Sequence, residues 1–233
     1  VRKIKFQLNL TRWSNWSRMP NSPSTTNIIF VHGSGQSRLS YNFLEIFLPE
    51  HDSLCLEYDT QEEWESIVKR FTFTANQYFQ GAPVSIVCHS YGCLVSSLFA
   101  KEYGNVEQMI ALSSPWAGSR SAKWLSMVFR QSRLFRNTQP GSELLKAVSN
   151  LNLEFPISNI VSTGTKSSGN ALAGMGQAND GLLTVETQRN IPESFSNVET
   201  IDLTLSHNEL LMAPDVVEII KDKIFDDNTE SNP

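Results

Sequence analysis

PVSIVCHSYGCLVSSLFAKEYG, residues 83–104, is the stretch on which the fold turns. PVSIVCH (83–89) is a short apolar run of the kind expected for a buried strand. YGCLVSSLFAKEY (91–103) then has the character of a helix, and Gly104 marks its stop. Ser90 stands at the corner between the two. A tight strand-to-helix turn lifts the side chain at its apex out of the packed layers. The helix N-terminus behind it offers free N–H groups and a positive dipole end, which stabilise developing negative charge. Small residues are needed two positions before and two after such a serine, where strand and helix backbones come close. Gly92 meets the second requirement, and Cys88 has to meet the first in place of a glycine. The competing interpretation is a structural serine in an ordinary turn.

The alternation continues outward from this corner. NIIFVH (27–32), SLCLEY (53–58), VEQMIALSSP (106–115), ISNIVSTG (157–164) and VETIDL (198–203) read as strands, and KIKFQL (3–8) as an early one. Residues 40–48, 61–79 and 209–225 suit helices, with Pro214 expected to kink or split the last. Residues 116–153 break the rhythm with two helical stretches around NTQPGS (137–142). Strands alternating with helices predict an α/β fold: a mostly parallel central sheet with helices on both faces, reactive residues at the carboxyl ends of strands. No repeat or linker divides the 233 residues, so a single domain is expected.

The net charge of −5 comes with no cluster of Lys and Arg, which argues against a nucleic-acid partner. No apolar run approaches the roughly 18 residues of a transmembrane segment. VRKIKFQLNL lacks the long apolar core of a signal peptide. Three cysteines (Cys55, Cys88 and Cys93) lean towards a reducing compartment, so a cytoplasmic location is expected; the absence of an initial Met leaves a processed or secreted chain open.

A nucleophilic serine needs a base, and the chain has four histidines. His89 adjoins Ser90 and projects in another direction. His32 belongs to a glycine loop, and His51 to the polar turn PEHD. His207, in LTLSHNELL after the last strand, lies at the carboxyl edge and is favoured. The base needs an orienting acid. Asp180, in the loop segment QANDGLLTV, is favoured over Asp202, Glu186 and Glu193, although Asp-Gly is also a common turn. The oxyanion is assigned to two backbone N–H groups: Tyr91, after the nucleophile, and Ser34, in the glycine loop FVHGSGQS (30–37). That loop lacks the G-x-G-x-x-G and GK[ST] patterns of phosphate binders.

Taken in order, FVHGSG, CHSYG, SSPWAGS, QPGSELL, NDGLLTV and LSHNELL resemble the α/β-hydrolase superfamily, with particular likeness to bacterial lipases and esterases and to GPI inositol-deacylase-like lipases. The likeness runs over roughly residues 27–223. It departs at Cys88 and at Trp116, where histidine is frequent. It implies a small helical cap at about 116–153. The apolar residues of that segment, Trp116, Trp124 and Phe129 among them, are candidates to bind an acyl group, with plain core packing as the alternative.

The expected function is therefore a serine hydrolase of carboxylic esters, working through an acyl-enzyme on a small-molecule or lipid-like ester and requiring no metal or organic cofactor. An acyltransferase or thioesterase would use the same three residues. A non-catalytic binding protein on this fold is the rival from another class.

Overall fold

The computed structural model describes residues 26–119, 122, 125, 127–129, 131–164 and 177–225. The strand expected at 3–8 and Trp124 lie outside them. Six strands are found among the described residues: β1 (Asn27–Val31), β2 (Asp52–Leu56), β3 (Val84–His89), β4 (Val106–Leu112), β5 (Ile157–Ser162) and β6 (Val198–Leu203). They form one sheet in the order β2-β1-β3-β4-β5-β6, with every neighbouring pair parallel. Seven α-helices are bounded among the described residues: α1 (Asn42–Phe47), α2 (Trp64–Phe79), α3 (Tyr91–Tyr103), α4 (Arg133–Thr138), α5 (Glu143–Ser149), α6 (Val185–Arg189) and α7 (Pro214–Phe225).

The period-two geometry of the strands divides the core into two layers. Ile29 and Val31 of β1, with Ile86 and Cys88 of β3, face Phe71 of α2, Leu94 of α3 and Leu144 of α5. Ile28 and Phe30, with Val87, face Leu44 of α1 and Val216 and Ile220 of α7 on the other side. Strand β3 is buried along its whole length, which is why VSIVCH reads as a mostly apolar run rather than as a polar–apolar alternation.

Three local differences from the sequence expectations have physical causes. Pro214 splits the closing helix: a 3-10 turn (Glu209–Met212) precedes α7, and Pro214 takes the first helical position, where its missing N–H has no partner to lose. The short helix α6 was not expected. It is started by Thr184, whose side chain accepts from the Thr187 N–H. The third concerns the expected cap. Its helix α5 buries Leu144, Leu145 and Val148 in the same cluster as α2 and α3, and so forms part of the helical layer.

From β1 the chain passes outward to β2, then returns to the other side of β1 as β3. The carboxyl ends of β1 and β3 thus flank the point where strand order reverses, the place where open α/β sheets leave a crevice. The glycine loop follows β1 there, and Ser90 follows β3.

Candidate active site

Ser90 precedes α3 with φ 54° and ψ −127°, a conformation disfavoured for a non-glycine residue by an amount on the order of 1–3 kcal/mol. The surrounding structure holds it there. Its N–H donates to the Leu112 carbonyl at 2.9 Å, continuing the β3–β4 ladder, while its carbonyl accepts from Cys93 N–H at 3.0 Å. Helix α3 can start so abruptly because Gly92 has no side chain. A Cβ there would lie 2.4 Å from the His32 carbonyl oxygen and 2.5 Å from that of Val31. The position of Cys88 is more permissive: its fully buried side chain packs in the sheet–helix layer, with Sγ 3.6 Å from the Ile110 carbonyl oxygen. A cysteine therefore fits where the usual pattern has glycine.

The hydroxyl of Ser90 lies 3.0 Å from Nε2 of His207, and Nδ1 of His207 lies 2.7 Å from Oδ2 of Asp180. With the ring neutral, Nδ1–H donates to the carboxylate and Nε2 presents a lone pair to the serine O–H. Both partners are brought in by loops. Asp180 sits in a tight turn in which its Oδ1 accepts from Leu182 N–H at 2.9 Å and Leu183 N–H at 2.7 Å. The His207 N–H donates to the Asp180 carbonyl at 3.0 Å, tying the two loops backbone to backbone. Burial pushes the Asp180 carboxyl upward. The His207 ring, the Leu183 N–H and Ser113 outweigh that and hold it below the usual carboxylate range.

Asp202, the competing acid, is remote from this cluster. It pairs with Arg189 on the surface, with about half of its side chain exposed. His89 is fully buried. Its Nε2–H donates to the His207 carbonyl at 3.0 Å, and its Nδ1 lies 2.9 Å from Oε1 of Gln36. Burial and the neighbouring His207 push its imidazole down to about 3, so the ring is neutral and its single N–H ties it to the His207 loop.

Ser34 lies in the turn immediately after Gly33, and Gly33 is pressed against Ser90: a Cβ at 33 would come within 3.0 Å of Ser90 Cβ and 2.9 Å of His89 Nδ1. The end of β1 is anchored by Tyr58, which donates its O–H to the His32 carbonyl at 2.7 Å and stacks on the His32 ring at 4.6 Å. Tyr91 opens α3, its ring buried and its phenol oxygen accepting from Asn137 of α4 at 3.0 Å. Ser34 and Tyr91 are thus each one residue along the chain from the Gly33–Ser90 contact.

The aromatic candidates fare differently. Trp116 is buried in the core, its ring edge-on to Phe195 and its indole N–H donating to Asn159 at 3.0 Å. These are the partners of a packing residue, the alternative weighed for it in the sequence. Phe129 is 54% exposed and lines an open groove of about 480 Å³ with Met127 and Val128, to which none of Ser90, Asp180 and His207 contributes.

Two residues at the site carried no sequence signal. Ser113, just past β4, places its hydroxyl 2.5 Å from Asp180 Oδ2 and 2.9 Å from His207 Nδ1. Gln188 of α6 donates Nε2–H to Asp180 Oδ2 and to the Ser162 carbonyl, each at 3.1 Å, while its own Oε1 accepts from Ser162 N–H at 2.8 Å. Gln188 stands in no motif, and Ser113, although it opens the segment SSPWAGS, was given no role there. Their roles arise from the adjacency of β4, β5 and α6.

Comparison with known proteins agrees with this architecture. Residues 67–151 match a family model described as alpha/beta hydrolase. No curated protein matches the chain. Among solved structures, the Bacillus licheniformis lipase BlEst2 in mature form superposes with a TM-score of 0.68 at 20% identity, covering 87% of this chain and 93% of its own. A lipase-esterase related protein from Clostridium acetobutylicum gives 0.59 at 16% identity, over 86% and 95%. The Vlm2 thioesterase domain gives 0.57 at 13% identity, over the same shares. The chain carries the α/β-hydrolase fold, its residues 67–151 match that family's model, and its structural neighbours include lipases and esterases.

Proposed function

We propose that the protein is a serine hydrolase of carboxylic esters. The observation that carries this is the unbroken chain of hydrogen-bond distances from Ser90 Oγ to His207 Nε2, 3.0 Å, and from His207 Nδ1 to Asp180, 2.7 Å. Ser90 Oγ attacks the ester carbonyl while His207 Nε2 takes its proton. Asp180 orients the ring and stabilises the imidazolium. The oxyanion is held by the N–H groups of Tyr91 and Ser34. His207 then protonates the leaving alcohol, and the acyl group stays on Ser90. A water, deprotonated by His207, releases the acid and restores the enzyme. The lipases and esterases among the structural neighbours favour an ester substrate.

A thioesterase or acyltransferase is the second reading, favoured by the thioesterase neighbour. It differs only in the leaving group or acceptor. The test is a fluorophosphonate probe with adduct mapping, followed by a panel of oxygen esters and thioesters. Labelling at Ser90 that disappears in Ser90→Ala supports the nucleophile. A label that survives the substitution, or none at all in the wild type, overturns it. Turnover confined to thioesters would transfer the assignment to the second reading.

A further inference from the structure

We infer that Ser113 is a positioning residue for the catalytic base, acting as a second acceptor for the His207 Nδ1 proton. This rests on the proposed roles of Ser90, Asp180 and His207 and goes beyond them. The Ser113 hydroxyl has one proton to give. Asp180 Oδ2, at 2.5 Å, can only accept, so the proton points there. The lone pairs of Oγ then face Nδ1–H at 2.9 Å. The proton on Nδ1 therefore lies between two oxygens, Asp180 Oδ2 at 2.7 Å and Ser113 Oγ, carried by different parts of the chain.

Two acceptors do what one cannot. A single Nδ1–H···O contact lets the imidazole pivot about that contact and swing Nε2 away from Ser90. A second acceptor from another element removes that freedom. Asp180 is fixed by the Leu182 and Leu183 N–H groups and by Gln188, whereas Ser113 is fixed by the sheet, its N–H donating to the Ile160 carbonyl at 2.9 Å. When His207 takes the Ser90 proton and becomes cationic, the partial negative charge on Ser113 Oγ faces the new charge at short range in a buried setting.

The backbone carries an independent mark of this placement. Ser113 adopts φ 50°, in the left-handed region that non-glycine residues avoid. Among the described non-glycine residues this property is shared by Gln80, Ser90 and Ser113, and two of these three converge on His207. The turn after β4 is what directs the hydroxyl to the Asp180–His207 pair, and a β-branched residue there would be strained further.

The left-handed backbone suggests the control. Ser113→Gly removes the hydroxyl and relieves the strain, whereas Ser113→Ala removes the hydroxyl and keeps it. The rate of fluorophosphonate labelling at Ser90 and the steady-state constants on a soluble short-chain ester are measured for both. Each variant is expected to label about 10- to 100-fold more slowly, the range for a hydrogen bond to a charged group. The loss falls in kcat, with KM within about two-fold. Proton NMR of the wild type is expected to show a downfield His207 Nδ1 resonance that moves in both variants. Wild-type rates and an unmoved resonance in Ser113→Gly would overturn the inference, as would a defect confined to Ser113→Ala, because both variants lack the hydroxyl and its loss would have to show in both. Should Ser113→Ala fail to fold, Ser113→Gly decides alone. Failure of the wild type to label sinks the Ser90 assignment instead, while the resonance still reports the Ser113 contact.

Discussion

Replacing Asp180 by Asn changes one atom, and the consequence follows from its neighbours. Oδ1 accepts two backbone N–H groups, from Leu182 and Leu183, so the carbonyl oxygen of an asparagine is drawn to that side. The NH2 group is then forced to the place of Oδ2, where His207 Nδ1–H, the Ser113 O–H and the Gln188 NH2 all donate. Three donors meet a donor. The imidazole relieves its share by moving its proton to Nε2, so that Nδ1 accepts from the amide. Nε2–H then faces Ser90 and has no lone pair with which to take the serine proton. A base held in the wrong tautomer lowers kcat by about 10⁴-fold, roughly 5 kcal/mol at the transition state. The unmet contacts at Ser113 and Gln188 cost about 1–3 kcal/mol of stability in addition. The assay is kcat on a soluble short-chain ester, with urea unfolding on the same preparation. Asp202→Asn serves as comparison and is expected to stay within about two-fold, since Asp202 pairs with Arg189 at the surface. Retention of more than a tenth of wild-type kcat by folded Asp180→Asn would refute the reasoning. So would loss of turnover in Asp202→Asn.

Gly92→Ala sets a Cβ 2.4–2.5 Å from two backbone carbonyl oxygens that cannot yield without moving β1, and a loss of about 3 kcal/mol in urea unfolding is expected. Trp116→Phe leaves the buried Asn159 without its indole partner and is expected to lower stability by about 1–3 kcal/mol with kcat/KM unchanged; a selective change in ester preference would return Trp116 to a substrate-binding role. Stability is expected to fall on acidification in two windows. His89 is pushed down to about 3 in the folded protein, so the unfolded chain takes up its proton first, and stability drops as pH falls from about 6.5 towards 3, by up to about 1.4 kcal/mol per pH unit. Asp180 is held below its ordinary value, so its contribution is present above about 4 and is lost as pH falls through the lowered folded value. Urea midpoints from pH 8 to 3 measure both, and His89→Gln is expected to flatten the upper window.

The local elements were largely legible because each is specified by neighbours in sequence. Helix 91–103 and strand 198–203 agree with the structure residue for residue, and among the described residues the other strand starts differ by one position at most. Trp116 and α5 were less legible. An apolar residue has the same sequence signature whether it lines a pocket or packs a core, and only its partners, Phe195 and Asn159 for Trp116, separate the two. Ser113 and Gln188 were silent for a related reason: a hydroxyl or an amide gains meaning from the atom it faces.

The sequence by itself determined the alternation of strand and helix, the sharp corner at Ser90 and the chemical types that can serve there, because periodicity, glycine placement and side-chain chemistry are local properties. Tertiary structure alone decided that a cysteine fits at position 88, that Asp180 and not Asp202 faces His207, and that Ser113 joins them. Those outcomes depend on which strand lies beside which and on how far each loop reaches past the sheet. They are fixed by the burial of two layers around β1, β3 and β4, to which residues far apart in the chain contribute together.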